Sequence, residues 1–189
     1  MPMQPWRTRS RRTILDRTPW VEVESHVVEL PDGRVIEDWP WVSIPDYANV
    51  VAVTEAGLFL VLRQTKYAVD GPTLATVGGY LEPGEDPLVA ARRELLEEAG
   101  YEADAWSSLG RYVVDGNRGC AVGYFYLATG ARRVAEPDAD DLEEQELLLL
   151  ARDEVREALL RGEFKVMSWA AAIGLALVRL DAIEKSERV

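Results

Sequence analysis

With 189 residues, 48% hydrophobic and 29% charged, the chain has the composition of one soluble globular domain large enough for a sizeable core. A formal net charge of −12 argues against nucleic-acid backbone binding as the main task, and any site for an anionic substrate must supply its own local cations. The single cysteine, Cys120, excludes an internal disulfide and fits a reducing compartment; the single histidine, His26, rules out His-rich zinc sites and disfavours a Ser-His-Asp triad.

Residues 1–18 carry Arg7, Arg9, Arg11, Arg12 and Arg17 against Asp16 alone. They lack the apolar core of a secretory signal and resemble an organelle transit peptide only weakly, so a flexible arm or a strand-leading segment is expected. No apolar run is long enough to cross a membrane, and the expected location is cytoplasmic. Residues 19–45 read as a hairpin: Trp20 to Leu30 partly alternates, Pro31-Asp32-Gly33 supplies turn chemistry, and Arg34 to Trp39 returns. Asn49 to Thr54 and Leu58 to Gln64 read as two buried strands around Glu55-Ala56-Gly57. Val69 to Pro72 is a loop, and Leu74 to Val77 delivers the chain to Gly78 and Gly79.

A helix follows. Asp86 is a good N-cap, Pro87 suits the first helical position, and Gly100 stands where a left-handed residue would end it. Leu88, Ala91, Leu95 and Ala99 form its apolar face. Glu94, Glu97 and Glu98 share a neighbouring face in the C-terminal half, where the helix dipole disfavours anions by about 0.3–1 kcal/mol each. Each close like-charge pair costs about another 0.2–0.5 kcal/mol. Two readings fit the helix alone: a solvated face with Arg92 and Arg93 as partners, or carboxylates gathered for a hard divalent cation such as Mg²⁺.

Beyond the helix, Trp106 to Val114 and Cys120 to Ala128 read as strands joined by Asp115-Gly116-Asn117-Arg118-Gly119. An acidic loop, Glu136 to Glu146, feeds the strand Leu147 to Leu150; Asp153 to Leu160 is a short helix and Lys165 to Ile183 a long one. The fold class is α/β: a single domain over 19–189, with a mixed sheet between helices and an N-terminal hairpin extension.

Gly79, Glu85, Arg93, Glu94, Leu95, Glu97, Glu98, Gly100 and Tyr101 match the G-x5-E-x7-R-E-U-x-E-E-x-G-U signature of the Nudix hydrolases, with Tyr101 where an aliphatic residue is usual. The resemblance implies hydrolysis of a diphosphate linked to another group, with Mg²⁺ or Mn²⁺ as cofactor. It implies metal ligation by Glu94, Glu98 and Glu97, completed by the backbone carbonyl of Gly78 or Gly79. Arg93 would orient a glutamate, and Glu85 would tie the loop to the helix. A general base outside the signature is implied in the acidic loop, at Glu143 or its neighbour Glu144.

The layout further resembles the ADP-ribose pyrophosphatase group. The resemblance rests on the hairpin, the stretch Leu62 to Val69, and Trp106 to Gly110. It implies a homodimer that exchanges the hairpin. Trp20, Trp39 or Trp41 would stack a base, and Arg63 and Lys66 would meet phosphate or ribose. Two departures stand out: the loop Gly116-Asn117-Arg118-Gly119 lacks the group's proline, and Thr73 to Val77 lacks its glutamate. Arg118 is a replacement cation for the substrate. The expected activity is cleavage of ADP-ribose to AMP and ribose 5-phosphate. The alternatives are GDP-mannose, a dinucleoside polyphosphate or coenzyme A as substrate, or a non-enzymatic nucleotide sensor.

Overall fold

The computed structural model describes residues 3–137 and 144–187. The chain forms two compact units, Met1–Asp46 with Tyr112–Val122, and Tyr47–Arg111 with Gly123–Val189.

In the first unit, β1 (Arg7–Arg17) pairs antiparallel with β2 (Val21–Glu29), and β2 pairs antiparallel with β3 (Val35–Ser43). The expected turn closes between β2 and β3, where Leu30 N–H donates to Arg34 O at 2.8 Å and Gly33 takes φ +84°. The last residues of β3 run parallel to the first of β9 (Gly119–Arg133) through Val42↔Gly119 and Ser43↔Cys120. One expectation is corrected here: residues 7–17 are not a flexible arm but the strand β1. The physical reason lies across the strand pair, where Arg9 Nε donates to Glu29 at 3.1 Å and Thr13 Oγ1 to Glu22 at 3.3 Å. The arginine-rich segment meets a glutamate-rich one, and opposite charges across an antiparallel pair stabilise it.

The second unit holds the core. Within it β4 (Tyr47–Thr54) runs parallel to β9, while β5 (Phe59–Gln64) is antiparallel to both β4 and β10 (Gln145–Leu150). The short β6 (Thr73–Ala75) pairs with β5, β7 (Tyr101–Glu102) pairs with β9, and β8 (Ala105–Asp115) also pairs with β9. Alternation along the strands sorts side chains to two faces. Ala48, Val50, Ala52, Leu60, Leu62 and Val77 join Ala91, Leu95 and Ala99 of α1 (Pro87–Ala99) in one cluster. Val51, Val53, Phe59 and Val61 join Val155 of α2 (Arg152–Leu160) and Ile173 of α3 (Met167–Glu187) in the other. Each buried Leu, Ile or Phe stabilises by about 1.5–3 kcal/mol relative to exposure, so both faces hold helices. The expected mixed sheet sandwiched between helices is the fold observed. Among the described residues no helix is long and apolar enough to cross a membrane.

Candidate active site

The helix α1 is placed by its caps. Asp86, at φ −68°, accepts from Leu88 N at 2.9 Å and Val89 N at 3.2 Å; Gly100, at φ +71°, donates back to Leu96 O at 2.8 Å. Ahead of it the Gly78–Gly79 turn is pinned to β4, since Ala48 N–H donates to Gly79 O at 2.9 Å and Val50 N–H to Val77 O at 2.8 Å. The two glycines leave room for different neighbours. At Gly78, φ is +149° and a Cβ would overlap the Ala48 carbonyl oxygen. At Gly79 a Cβ would lie 2.6 Å from Glu94 Oε2, so the Glu94 carboxylate fills the space that a side chain would need. Gly78 N–H donates to Glu98 Oε2 at 2.7 Å.

Arg93 gathers the acids of the signature. Its Nε and Nη2 donate to the two oxygens of Glu85 at 3.0 Å each, its Nη1 to Glu94 at 2.8 Å and Glu97 at 2.9 Å, and its Nη2 to Tyr80 O at 3.2 Å. The Glu85 bond is the main cause of a guanidinium pKa raised above its ordinary value, with burial acting against it. The same bond holds the Glu85 carboxyl below the usual carboxylate range. One guanidinium therefore offsets the like-charge repulsion between Glu94 and Glu97.

Glu94 and Glu98 line a cavity of about 500 Å³ together with Gly78, Gly79 and Lys66. The rest of its lining includes Tyr47, Asn49, Ser168 and Trp169. Burial raises the Tyr47 phenol pKa, against a lowering hydrogen bond with Ser168. Asn49 is 3% exposed, and its Nδ2 has no hydrogen-bond partner among the described residues. A buried donor left unmatched costs about 1–3 kcal/mol.

Of the residues singled out in the sequence, Gly78, Glu94, Glu98 and Lys66 come together in this cavity. Glu97 turns to Arg93 with its side chain 47% exposed and does not line it. Arg63 pairs with Glu146 at 3.1 Å on the exposed side of β5. Glu144 is exposed just before β10, and Glu143 lies outside the described residues. In the first unit Trp39 and Trp41 line a second cavity of about 380 Å³ with Trp6 and His26; Trp20 is exposed and does not. Trp39 Nε1 donates to Asn117 O at 2.8 Å, and Trp41 stacks on His26 with ring centroids 5.3 Å apart. Arg118 caps its own loop, pairing with Asp115 at 3.4 Å. Sequence reading missed Tyr47, Asn49, Ser168 and Trp169. Asn49 did carry a signal, as the polar residue heading the apolar run Val50 to Val53.

An acidic pair beside a tight glycine turn suits a hard cation, which favours carboxylate and carbonyl oxygen. Among the described residues no three Asp, Glu, His or Cys side chains converge as a metal cage. Glu94, Glu98 and the Gly78–Gly79 turn line the cavity and offer oxygens of that kind.

A family model of the NUDIX domain matches residues 44–170. The chain is 31% identical to a CMP-5'-(N-acetyl-N-hydroxy-3-aminopropyl)phosphonate hydrolase of Streptomyces rubellomurinus (strain ATCC 31215), over 92% of this chain and 82% of the relative. It is 30% identical to a methanol dehydrogenase activator of Bacillus methanolicus, over 74% of each. It is 37% identical to an ADP-ribose pyrophosphatase of Bacillus subtilis (strain 168), over 40% of each. A solved structure described as an ADP compounds hydrolase superposes over the full length of both chains with a TM-score of 0.78 at 19% identity, a likeness of fold.

Proposed function

Because the chain belongs to the Nudix family, we propose that it hydrolyses the diphosphate bond of a nucleoside diphosphate derivative with Mg²⁺ or Mn²⁺, ADP-ribose to AMP and ribose 5-phosphate being the leading case. The observation that carries this reading is the Glu94 carboxylate seated in the space over Gly79, beside Glu98 on Gly78 N–H. Glu94 and Glu98 hold the cation, with the Gly78 carbonyl as backbone ligand, since Gly79 O is taken by Ala48. When bound, the cation neutralises phosphate oxygens and lowers the pKa of an attacking water. Arg93 keeps Glu94 oriented through the Glu85–Arg93 bonds, and Glu97 acts through that same guanidinium. Lys66 meets the phosphates from the cavity wall, and the acidic segment at Glu143 and Glu144 supplies the base. Positioning and charge stabilisation, rather than covalent chemistry, carry such transfers.

Trp39 and Trp41 stack a nucleobase, which the aromatic lining of their cavity supports. The assembly is a homodimer exchanging the hairpin, a reading supported by β1, which is exposed along its whole length. The Streptomyces relative favours a second substrate class, a nucleoside monophosphate joined to a phosphonate. A panel of nucleotide substrates with Mg²⁺ and product identification tests both. AMP plus ribose 5-phosphate from ADP-ribose supports the first; turnover restricted to a CMP-linked phosphonate supports the second. Ligand binding with no turnover of any substrate supports a nucleotide sensor instead.

A further inference from the structure

We propose that Asn49 is a substrate-contacting residue whose side-chain amide donates a hydrogen bond to a non-bridging phosphoryl oxygen, beside the first-turn amides of α3. The inference rests on the diphosphate reading of the cavity. Alternation along β4 places Asn49 on the same face as Val51 and Val53, which pack into the apolar cluster with α2 and α3. An apolar residue would fit that position without penalty. Asn49 is instead buried there with Nδ2 unmatched among the described residues, and it lines the cavity that holds Glu94 and Glu98. Local conflicts of this kind gather at functional sites.

A second observation points to the chemistry of the missing acceptor. The first turn of the 21-residue α3 lines the same cavity through Ser168 and Trp169, with Val166 just ahead of it. The amides of Trp169 and Ala170 both donate to Val166 O at 3.1 Å, so those of Met167 and Ser168 precede the first intrahelical bond. Amides ahead of the first intrahelical bond favour an anion, and phosphoryl oxygen is the anion this reaction brings. The cavity is thereby divided by charge. Carboxylates from α1 take the cation, while a neutral amide from β4 and the start of α3 take phosphoryl oxygens without competing for it.

The test compares the wild type with Asn49→Leu, Asn49→Asp and Asn49→Ser. The probe is methylenediphosphonate, a diphosphate mimic that cannot be hydrolysed, titrated calorimetrically in Mg²⁺, with Mn²⁺ binding and melting temperature measured in parallel. Asn49→Leu is expected to melt no lower than wild type and to bind Mn²⁺ equally. It should bind methylenediphosphonate about 10- to 100-fold more weakly, the scale of one hydrogen bond to a charged group. Asn49→Asp should bind more weakly still, and Asn49→Ser, which keeps a donor on a shorter arm, should fall between. Wild-type affinity in Asn49→Leu overturns the proposal. So does a loss of binding that follows a lowered melting temperature in both Asn49→Leu and Asn49→Ser, which marks a structural role. Absence of binding by the wild type overturns it as well. A wild type that binds the probe through Asn49 yet hydrolyses no diphosphate supports the contact and sinks the hydrolase reading.

Discussion

Gly78 N–H donates to Glu98 Oε2 at 2.7 Å across twenty residues of sequence. The bond ties the turn ahead of α1 to the last turn of the same helix. It presents Glu98 to the cavity with one carboxylate oxygen already oriented by the backbone.

The two glycines of that turn are expected to fail differently when replaced by alanine. At Gly78 the new Cβ meets backbone, the Ala48 carbonyl, at a φ that disfavours L-residues. Overpacking costs about 1–3 kcal/mol, and the backbone conformation about as much again. The melting temperature of Gly78→Ala should therefore fall by at least about 5 °C. At Gly79 the new Cβ meets the Glu94 side chain, which can swing aside. Gly79→Ala should keep its fold by circular dichroism and lose about 100-fold or more in turnover. Equal loss of stability in both variants would contradict this division.

Glu85 should shape the acid limb of stability. Its pKa is lowered in the folded state, mainly by the Arg93 hydrogen bond. A depressed carboxylate contributes stability that is fully present above its unfolded pKa, about 4.3, and is lost as pH falls through the folded value. Glu85→Gln should thus be less stable than wild type at pH 7, with the gap closing as pH falls below about 4. Urea titrations across that range measure it; a gap independent of pH would refute the assignment.

The exposed face of β1 makes an oligomerisation test. Ile14 and Leu15 are 60% and 40% exposed within one chain. If the hairpin is exchanged in a homodimer, Ile14→Glu should lower the mass measured by light scattering toward one chain at micromolar concentration. A wild type that already runs at the mass of one chain would exclude the exchange.

What could be read in the sequence follows from how local each signal is. The bounds of α1 were legible because Asp86, Pro87 and Gly100 act within a few residues of themselves. The strand β1 was not, because the glutamates that balance its arginines, Glu22 and Glu29, come from the next strand. The three-glutamate face was legible as a conflict but not as a division of labour. Only the fold shows Arg93 drawing Glu97 away from the cavity while Glu94 and Glu98 stay in it. Asn49 was hidden for a similar reason: an asparagine beside an apolar run looks like a strand end until its amide is found buried without a partner. Lys66 and the tryptophans fall between. Lys66 reaches the cavity and Trp39 and Trp41 line one of their own, whereas Trp20 is exposed, a difference that depends on the turn each occupies.

The central claim is tested most directly by the Mg²⁺ dependence of ADP-ribose hydrolysis in wild type and Glu98→Gln. The exchange keeps the shape of the side chain and removes the charge proposed to hold the cation. The expected result is an unchanged circular dichroism spectrum and a fall in turnover of at least about 100-fold at limiting Mg²⁺. Wild-type-like turnover by Glu98→Gln at limiting Mg²⁺ would contradict the account.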